Sequence, residues 1–406
     1  MTLGPRFRRL WTASATSNVG DGLFMTAVPL LAASLTRDPL LVSGVTASLF
    51  LPWLLFALPG GALVDRMDRR LAMARTGWFR SLVLGGLTLT VVFDVVNIGI
   101  VYLAVFLLGS AETIYESAAR AMLPSVVEPG GLDAGNGKLQ AAQVIAQEFA
   151  GPPIAGALFA VAAGLPLLLG TAAFTIAAFL ITSMGGSFLP VRESATSPNL
   201  RREIAEGLRW LRGNVLLRRL TLLGGVLGLT SGASNGVMVL FSLELLGLDE
   251  RGFGLLLAGL TVGSVIGTVV AAPLARRFGR GPTLLAGYAL AAVGYVGFGL
   301  SSHAFVGGTF FALAALGTMA GNVLTMSIRQ SVIPPHLFGR VQGAWRTVIW
   351  GSMPIGALAG GALARVAGLR APFLLEAAAF VVVVVGTWPL LSNLPDPEYE
   401  NSSATP

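Results

Sequence analysis

Carboxylates stand where hydropathy places the interior of a membrane, among them Asp21, Glu112, Glu116 and Glu148. Charges at that depth are costly, so they face cavities or partners rather than lipid. The chemistry open to them is proton exchange. Burial disfavours the charged form of a carboxyl, and a group poised between its two forms can take a proton on one side and release it on the other. Asp21, Glu112 and Glu148 are the proton-coupling candidates, in that order. Glu112, Glu116 and Arg120 recur at intervals of four, hence on one helical face. Glu116 and Arg120 are expected to form an ion pair at a gate. Glu148 lies one turn before Pro152, beside a stripe of Gln140, Gln143 and Gln147, and Gly151, Pro152, Pro153 and Gly156 should kink that segment.

Other chemistries lack their residues. The chain has no cysteine, which removes thiolate metal sites and cysteine nucleophiles, and only two histidines, His303 and His336. The single lysine, Lys138, follows Gly137 but precedes Leu139, and Leu132 stands where a phosphate-binding loop would need its first glycine. No paired nucleophile and base stands out at membrane depth. We therefore expect no enzyme, no cofactor, no metal and no ATP-driven step.

Composition dictates what must position these groups. Of the 406 residues, 12% are charged and 54% hydrophobic, with a mean hydropathy of +0.75. A soluble chain so apolar could not cover its own surface. At roughly 20 residues per span, hydropathy places spans near 11–33, 40–63, 73–95, 98–119, 139–162 and 165–188. A second set follows near 219–243, 253–275, 283–301, 304–327, 341–364 and 370–391. The first span follows Arg6, Arg8 and Arg9, is too long for a signal peptide and holds Asn18 and Asp21, so it should remain in the mature protein. The fold class is therefore all-α integral membrane, with twelve transmembrane helices in two six-helix bundles. The domains are 1–190, a cytoplasmic linker 191–217, 218–395 and an acidic tail 396–406.

Of the 27 lysines and arginines, all but Arg37, Arg251, Arg365 and Arg370 fall on the side of the termini, Arg80 counted among them. The positive-inside rule makes that side cytoplasmic. The net charge of +7 is then topological and needs no nucleic-acid partner; membrane lipids can meet the basic loops. In the linker, Leu200, Ile204, Leu208, Leu211 and Val215 recur at helical spacing, which suggests an amphipathic helix on the interface.

The end of the second span, Gly61 to Arg70, finds a counterpart 211 residues later, Ala272 to Gly281, and Pro153-Ile154 finds Pro354-Ile355. The halves look like parallel repeats. The 61–70 segment, matched at Gly61, Asp65, Arg66, Arg69 and Arg70, resembles the signature loop of the major facilitator superfamily. Asp68 departs from that pattern, where glycine is usual, and should adopt the left-handed backbone the turn requires. Gly151-Pro152-Pro153-Ile154-Ala155-Gly156 is similar to an element of the drug–proton antiporters. Asn18-Val19-Gly20-Asp21, Glu203 to Arg209 and Gly252-Phe253-Gly254 resemble the branch of macrolide efflux proteins and the enterobactin exporter. The arginine that many proton antiporters carry in the fourth span is absent; Phe106, Leu107 and Leu108 fill its place.

The resemblance implies a secondary active transporter of the bacterial inner membrane, with both termini cytoplasmic, exporting amphiphilic molecules of the macrolide kind. It implies proton antiport by alternating access, with Asp65 as a latch between bundles supported by Arg66, Arg69 and Arg70. Partners are then a small-molecule substrate, protons and lipids, and the protein is expected to be a monomer. A siderophore or lysolipid carrier and an uncoupled facilitator of the same fold are the alternatives. Cavity lining is expected from Phe24, Met25, Phe56, Tyr115, Asn235, Met238, Asn322, Met326 and Trp345, since aromatics and methionines adapt to varied apolar ligands.

Overall fold

The computed structural model describes residues 4–64, 67–186, 188, 209 and 213–391. Twelve long helices run through them: α1 (Pro5–Leu35), α2 (Pro39–Val64), α3 (Arg69–Val92), α4 (Ile98–Val126), α5 and α6 (Gly164–Thr182). Helix α5 is composite, with Leu132–Gln143 and Gly151–Phe159 flanking a π-helical stretch, Val144–Ala150. The second set is α7 (Val215–Leu240, extended by a π-turn Phe241–Leu245), α8 (Glu250–Phe278), α9 (Arg280–Leu300), α10 (Ala304–Val332), α11 (Pro335–Ala367) and α12 (Ala371–Leu391). Ten helical stretches are long and apolar enough to cross a membrane unaided. The other two elements are α3, which carries arginines, and α5, which is interrupted. The expected linker helix and acidic tail fall almost wholly outside the described residues.

Short polar residues start several helices by accepting the orphan amides of a first turn. Asn97 caps α4 through Ile100 N at 3.1 Å, Asn214 caps α7 through Leu217 N at 3.0 Å, and Asp249 caps α8 through Gly252 N at 2.8 Å. Asp68 does the same for α3, with Oδ1 3.2 Å from Leu71 N, while Oδ2 accepts from Phe188 N at 3.0 Å. Its φ of −61° and ψ of 118° are extended, so the expected left-handed turn does not form. The cap supplies a different solution. In the repeat the equivalent position is Gly279, whose φ of 85° is the left-handed conformation that glycine permits.

Helices α1, α3, α4 and α6 pack on one another, as do α7, α9, α10 and α12. A cluster of Phe241, Phe298, Phe311 and Phe373 fills the second bundle, with ring centroids 4.5–5.0 Å apart. Gly263 and Gly267 let α8 lie against the α10 backbone, and Gly356 and Gly360 let α11 lie against α7. Gly259, the third member of the first stripe, faces open space.

Two seams join the bundles, α2 against α11 and α5 against α8. The prolines explain α5. Pro152 has no amide to give to the carbonyl four residues earlier, and that carbonyl, Glu148 O, accepts instead from Thr261 Oγ1 of α8 at 2.8 Å. On its other side, a Cβ at Gly151 would lie 2.7 Å from Gly22 Cα, and one at Gly22 would lie 2.7 Å from Gln147 O. The Gly-Pro-Pro segment is thus a crossing point of three helices as well as an interruption. Gly22→Val is expected to destabilise the protein by about 1–3 kcal/mol through overpacking. Thermal unfolding in detergent checks this, and an unchanged Tm would contradict the crossing.

Candidate functional site

The site is built around a residue that the sequence reading assigned to the basic surface. Arg80 lies eleven residues into α3, is 2% exposed and points at α1. Its Nη2 pairs with Asp21, its Nη1 donates to Ser17 Oγ at 3.1 Å, and its Nη1 lies 2.9 Å from Glu112 Oε2 of α4. Three partners on neighbouring helices hold the guanidinium at a depth where lone arginines are excluded.

Local sequence makes this placement possible. Gly20 has no side chain to obstruct the Phe174 ring of α6, where a Cβ would meet the ring at 2.7 Å. Phe174 therefore lies against α1, with its ring centroid 3.9 Å from the Arg80 guanidinium carbon, and Tyr115 of α4 stands at 5.5 Å. Cation–π contacts of this kind strengthen where water is excluded. The cluster holds two carboxylates, Asp21 and Glu112, against one guanidinium. With all three ionised it carries one uncompensated negative charge, so it has room for one proton.

Asp21, Arg80 and Glu112 form part of the wall of a cavity of about 500 Å³. Its aromatic lining includes Phe24, Phe50, Trp53, Tyr115 and Trp350, and its polar lining includes Asn18, Gln140, Gln143 and Gln147. Gln147 Nε2 lies 3.3 Å from Met25 Sδ, which ties the glutamine stripe to α1. Glu116 and Arg120 form the ion pair expected from their spacing and also line the cavity. From the second bundle come Arg346, over Trp53 at 5.5 Å, and Trp350, whose ring centroid is 5.6 Å from that of Trp53.

The cavity runs from mid-helix toward the end that carries the arginines, where Ser14, Arg120, Leu123, Asn136 and Arg346 line it. The opposite end is closed by contacts between bundles. Arg365 at the end of α11 grips Asp38, before α2, with both Nε, at 3.2 Å, and Nη2. Gly361 of α11 lies against Leu40 and Ser43, and Gly156 and Gly254 bring α5 onto the start of α8. Arg37 and Glu244 add an exposed pair at 3.9 Å.

The guanidinium bound to it holds the Asp38 carboxyl below the ordinary carboxylate range. The charged form is favoured by the closed end, so the lock is complete at neutral pH and is lost as pH falls through the lowered value. Asp38→Asn is expected to widen distances between spin labels placed across that end, and acidification should widen them in the wild type. A distance distribution unchanged in Asp38→Asn would exclude Asp38 from the closure.

The structure brings together Asp21, Glu112, Glu116, Arg120, Phe24, Met25 and Tyr115 around one cavity. It does not bring Glu148 there; that side chain is exposed on α5 and is absent from the lining. Phe56 packs at a tilt against Phe106, with ring centroids 6.3 Å apart, outside the lining, and Met238 is buried in the second bundle's core. Asn235 donates to Ser231 O at 2.8 Å, and Asn322 is exposed on α10. Trp345 carries the Arg329 guanidinium at 3.5 Å, with Met326 Sδ 3.3 Å from Arg329 Nη2. Of the signature loop, Asp65 and Arg66 lie outside the described residues. Arg69 donates to Ala121 O at 2.8 Å and Ser125 Oγ at 3.1 Å, and Arg70 donates to Met184 O, so the loop is tied to the ends of α4 and α6.

Comparison with known proteins agrees with this geometry at the level of fold and family. A family model described as a transmembrane secretion effector matches residues 4–406. The chain is 28% identical over 377 residues to the multidrug efflux pump Tap of Mycolicibacterium fortuitum, spanning 89% of this chain and 90% of that protein. It is 23% identical over 398 residues to macrolide efflux protein A of Streptococcus pyogenes, spanning 94% of each. Among solved structures, a bacterial homologue of the iron transporter ferroportin in its inward-facing state matches with a TM-score of 0.77 at 19% identity, over 97% of this chain and 100% of that one.

Proposed function

The chain belongs to the transmembrane secretion effector family of the major facilitator superfamily, whose members are membrane transporters and not enzymes, and we propose that it exports amphiphilic small molecules by proton antiport. The observation that carries this reading is the cluster of buried Asp21 and Arg80 with half-buried Glu112, short of one positive charge, in the wall of a cavity large enough for an organic ligand. The relatives' names, a multidrug efflux pump and a macrolide efflux protein, support a macrolide-like cargo. Trp53, Trp350 and Phe24 would hold its apolar surface, and the glutamine stripe its polar edge.

The arginine-rich end is cytoplasmic by the positive-inside rule, which puts both termini inside and makes the described conformation inward-open. Residues 1–190 and 218–395 rock as two bodies about the α2–α11 and α5–α8 seams, joined by 191–217. Opening at the outer end breaks the Asp38–Arg365 lock and admits a proton to the cluster. Protonation of Asp21 removes one of the charges that hold Arg80, and the guanidinium is then balanced by Glu112 alone. Return to the inward-open state lets the proton leave to the cytoplasm, restores the Asp21–Arg80 pair and readies the cavity for cargo. Each ligand acts only through its unequal affinity for the two states. When the inner side closes, Asp65, braced by Arg66, Arg69 and Arg70, latches the bundles; Arg69 and Arg70 already fix the loop to the first bundle. The protein works as a monomer in the bacterial inner membrane.

Expression in a bacterium stripped of its own efflux pumps tests the reading. Cells are expected to hold less labelled erythromycin or ethidium than cells carrying empty vector, and a protonophore should abolish the difference. Equal accumulation of both probes with and without the protein would reject export of this class of cargo. A difference that survives the protonophore would reject proton coupling and keep the transporter.

A further inference from the structure

We propose that Glu376 is a second proton-binding site, placed in the C-terminal bundle and reached from the exposed Asn235 through Ser231. Glu376 sits in α12, is 2% exposed, and its Oε2 has no hydrogen-bond partner. Tyr295 of α9 and Ser234 and Ser231 of α7 surround the carboxyl. None of these hydroxyls supplies a positive charge. Among the described residues the arginines that precede Glu376 most closely in sequence are engaged elsewhere. Arg370 donates to Gly299 O at 2.7 Å and Ser302 Oγ at 2.9 Å, and Arg365 holds Asp38. A bare carboxylate in this setting would be an uncompensated buried charge, which proteins avoid by pairing or neutralising it. With no cation at hand, a proton neutralises it in this conformation.

A proton merely trapped in a core would be structural. What makes this one exchangeable is the route to it. Asn235 is exposed, and its Nδ2 lies 3.3 Å from Ser231 Oγ; Ser231 is only half-buried and stands beside the carboxyl. Asn235, Ser231 and the Glu376 carboxyl thus form a run of polar groups from an exposed face of α7 into the bundle, a face that must meet water for the proton to exchange. The placement also follows the repeat. Asp21, Arg80 and Phe174 come from α1, α3 and α6, the first, third and sixth helices of their half. Ser231, Tyr295 and Glu376 come from α7, α9 and α12, the first, third and sixth of theirs. One half carries a charge cluster there and the other a neutral hydroxyl-lined acid. The transporter thus has a protonation site in each bundle, and a full cycle can move two protons.

The role in the cycle rests on the antiport reading, but the occupancy of the site does not, so its test uses protons alone. Infrared difference spectra of the purified full-length protein in lipid vesicles would be recorded on exchange from water to deuterium oxide. A carboxylic-acid carbonyl band is expected in the wild type and in Asp21→Asn, shifted by deuterium and missing from Glu376→Gln. Tyr295→Phe, which keeps the acid and removes a hydroxyl, should move the band's frequency, and it serves if Glu376→Gln does not fold. Ser231→Ala should slow the deuterium shift. A carbonyl region identical in wild type, Glu376→Gln and Tyr295→Phe would overturn the proposal, as would a Glu376 band that never responds to deuterium. With cargo-driven proton release measured in parallel, loss of that release in Asp21→Asn alongside an absent Glu376 band rejects the second site and leaves the first standing.

Discussion

Arg80→Ala is expected to remove energised transport altogether and to cost the folded protein about 3–5 kcal/mol, the range for stripping one partner from a buried ion pair. The substitution leaves Asp21 and Glu112 facing each other across a vacated space without the cation that balances them. It also removes the guanidinium that packs on Phe174 at 3.9 Å. Arg80→Lys keeps a charge but cannot serve Ser17, Asp21 and Glu112 from one planar fork, so it should retain folding better than activity. Adding Asp21→Asn to Arg80→Ala should recover part of the lost stability, because it removes one of the two stranded charges, while transport stays absent. Thermal unfolding in detergent, run as a double-mutant cycle, reads the coupling. Strict additivity of the two substitutions would mean that the pair does not interact in the folded protein.

Asp21→Asn alone separates coupling from binding. The amide retains the carboxylate's shape and one acceptor for Arg80, and it leaves Glu112 to balance the guanidinium, so the protein should fold. What it cannot do is bind and release a proton. Uphill accumulation of ethidium should fall to the level of vesicles without the protein. Exchange of labelled for unlabelled ethidium at equal concentrations, which needs no net proton movement, should persist. Loss of both activities would make Asp21 a cargo-binding or structural residue. Retention of both would remove it from the mechanism.

The twelve helices, the membrane depth of Asp21 and Glu112 and the Glu116–Arg120 pair were legible because hydropathy and a spacing of four are local properties; that Asp21 meets Glu112 through Arg80 was not, because the three come from different helices. Arg80 was not read correctly, because counting basic residues by loop assigns an arginine near a span's end to the nearest surface. A finer signal was available. Gly77, Arg80, Ser81, Leu84 and Thr88 recur at helical spacing and all are buried in α3, so the arginine lies on the packed stripe of the helix. Glu376 is the lone acid in the apolar stretch Ala371–Leu391 and could have been singled out on that ground alone. The role of Gly151 and Gly22 was hidden, since a close crossing depends on two segments distant in sequence. Asp68 illustrates the same limit at short range. Its type permitted either a left-handed turn or a helix cap, and the Phe188 amide brought by α6 favours the cap.

In the proposed cycle the Asp21–Arg80–Glu112 cluster exchanges a proton for cargo. Its most direct test uses inverted membrane vesicles energised to an acid interior, with a pH-sensitive dye reporting protons that leave as erythromycin or ethidium is added. Prompt, cargo-triggered proton release is expected with the wild type and none with Asp21→Asn or Arg80→Ala. Equal release from wild type and Asp21→Asn, or cargo uptake that is indifferent to the gradient, would contradict it.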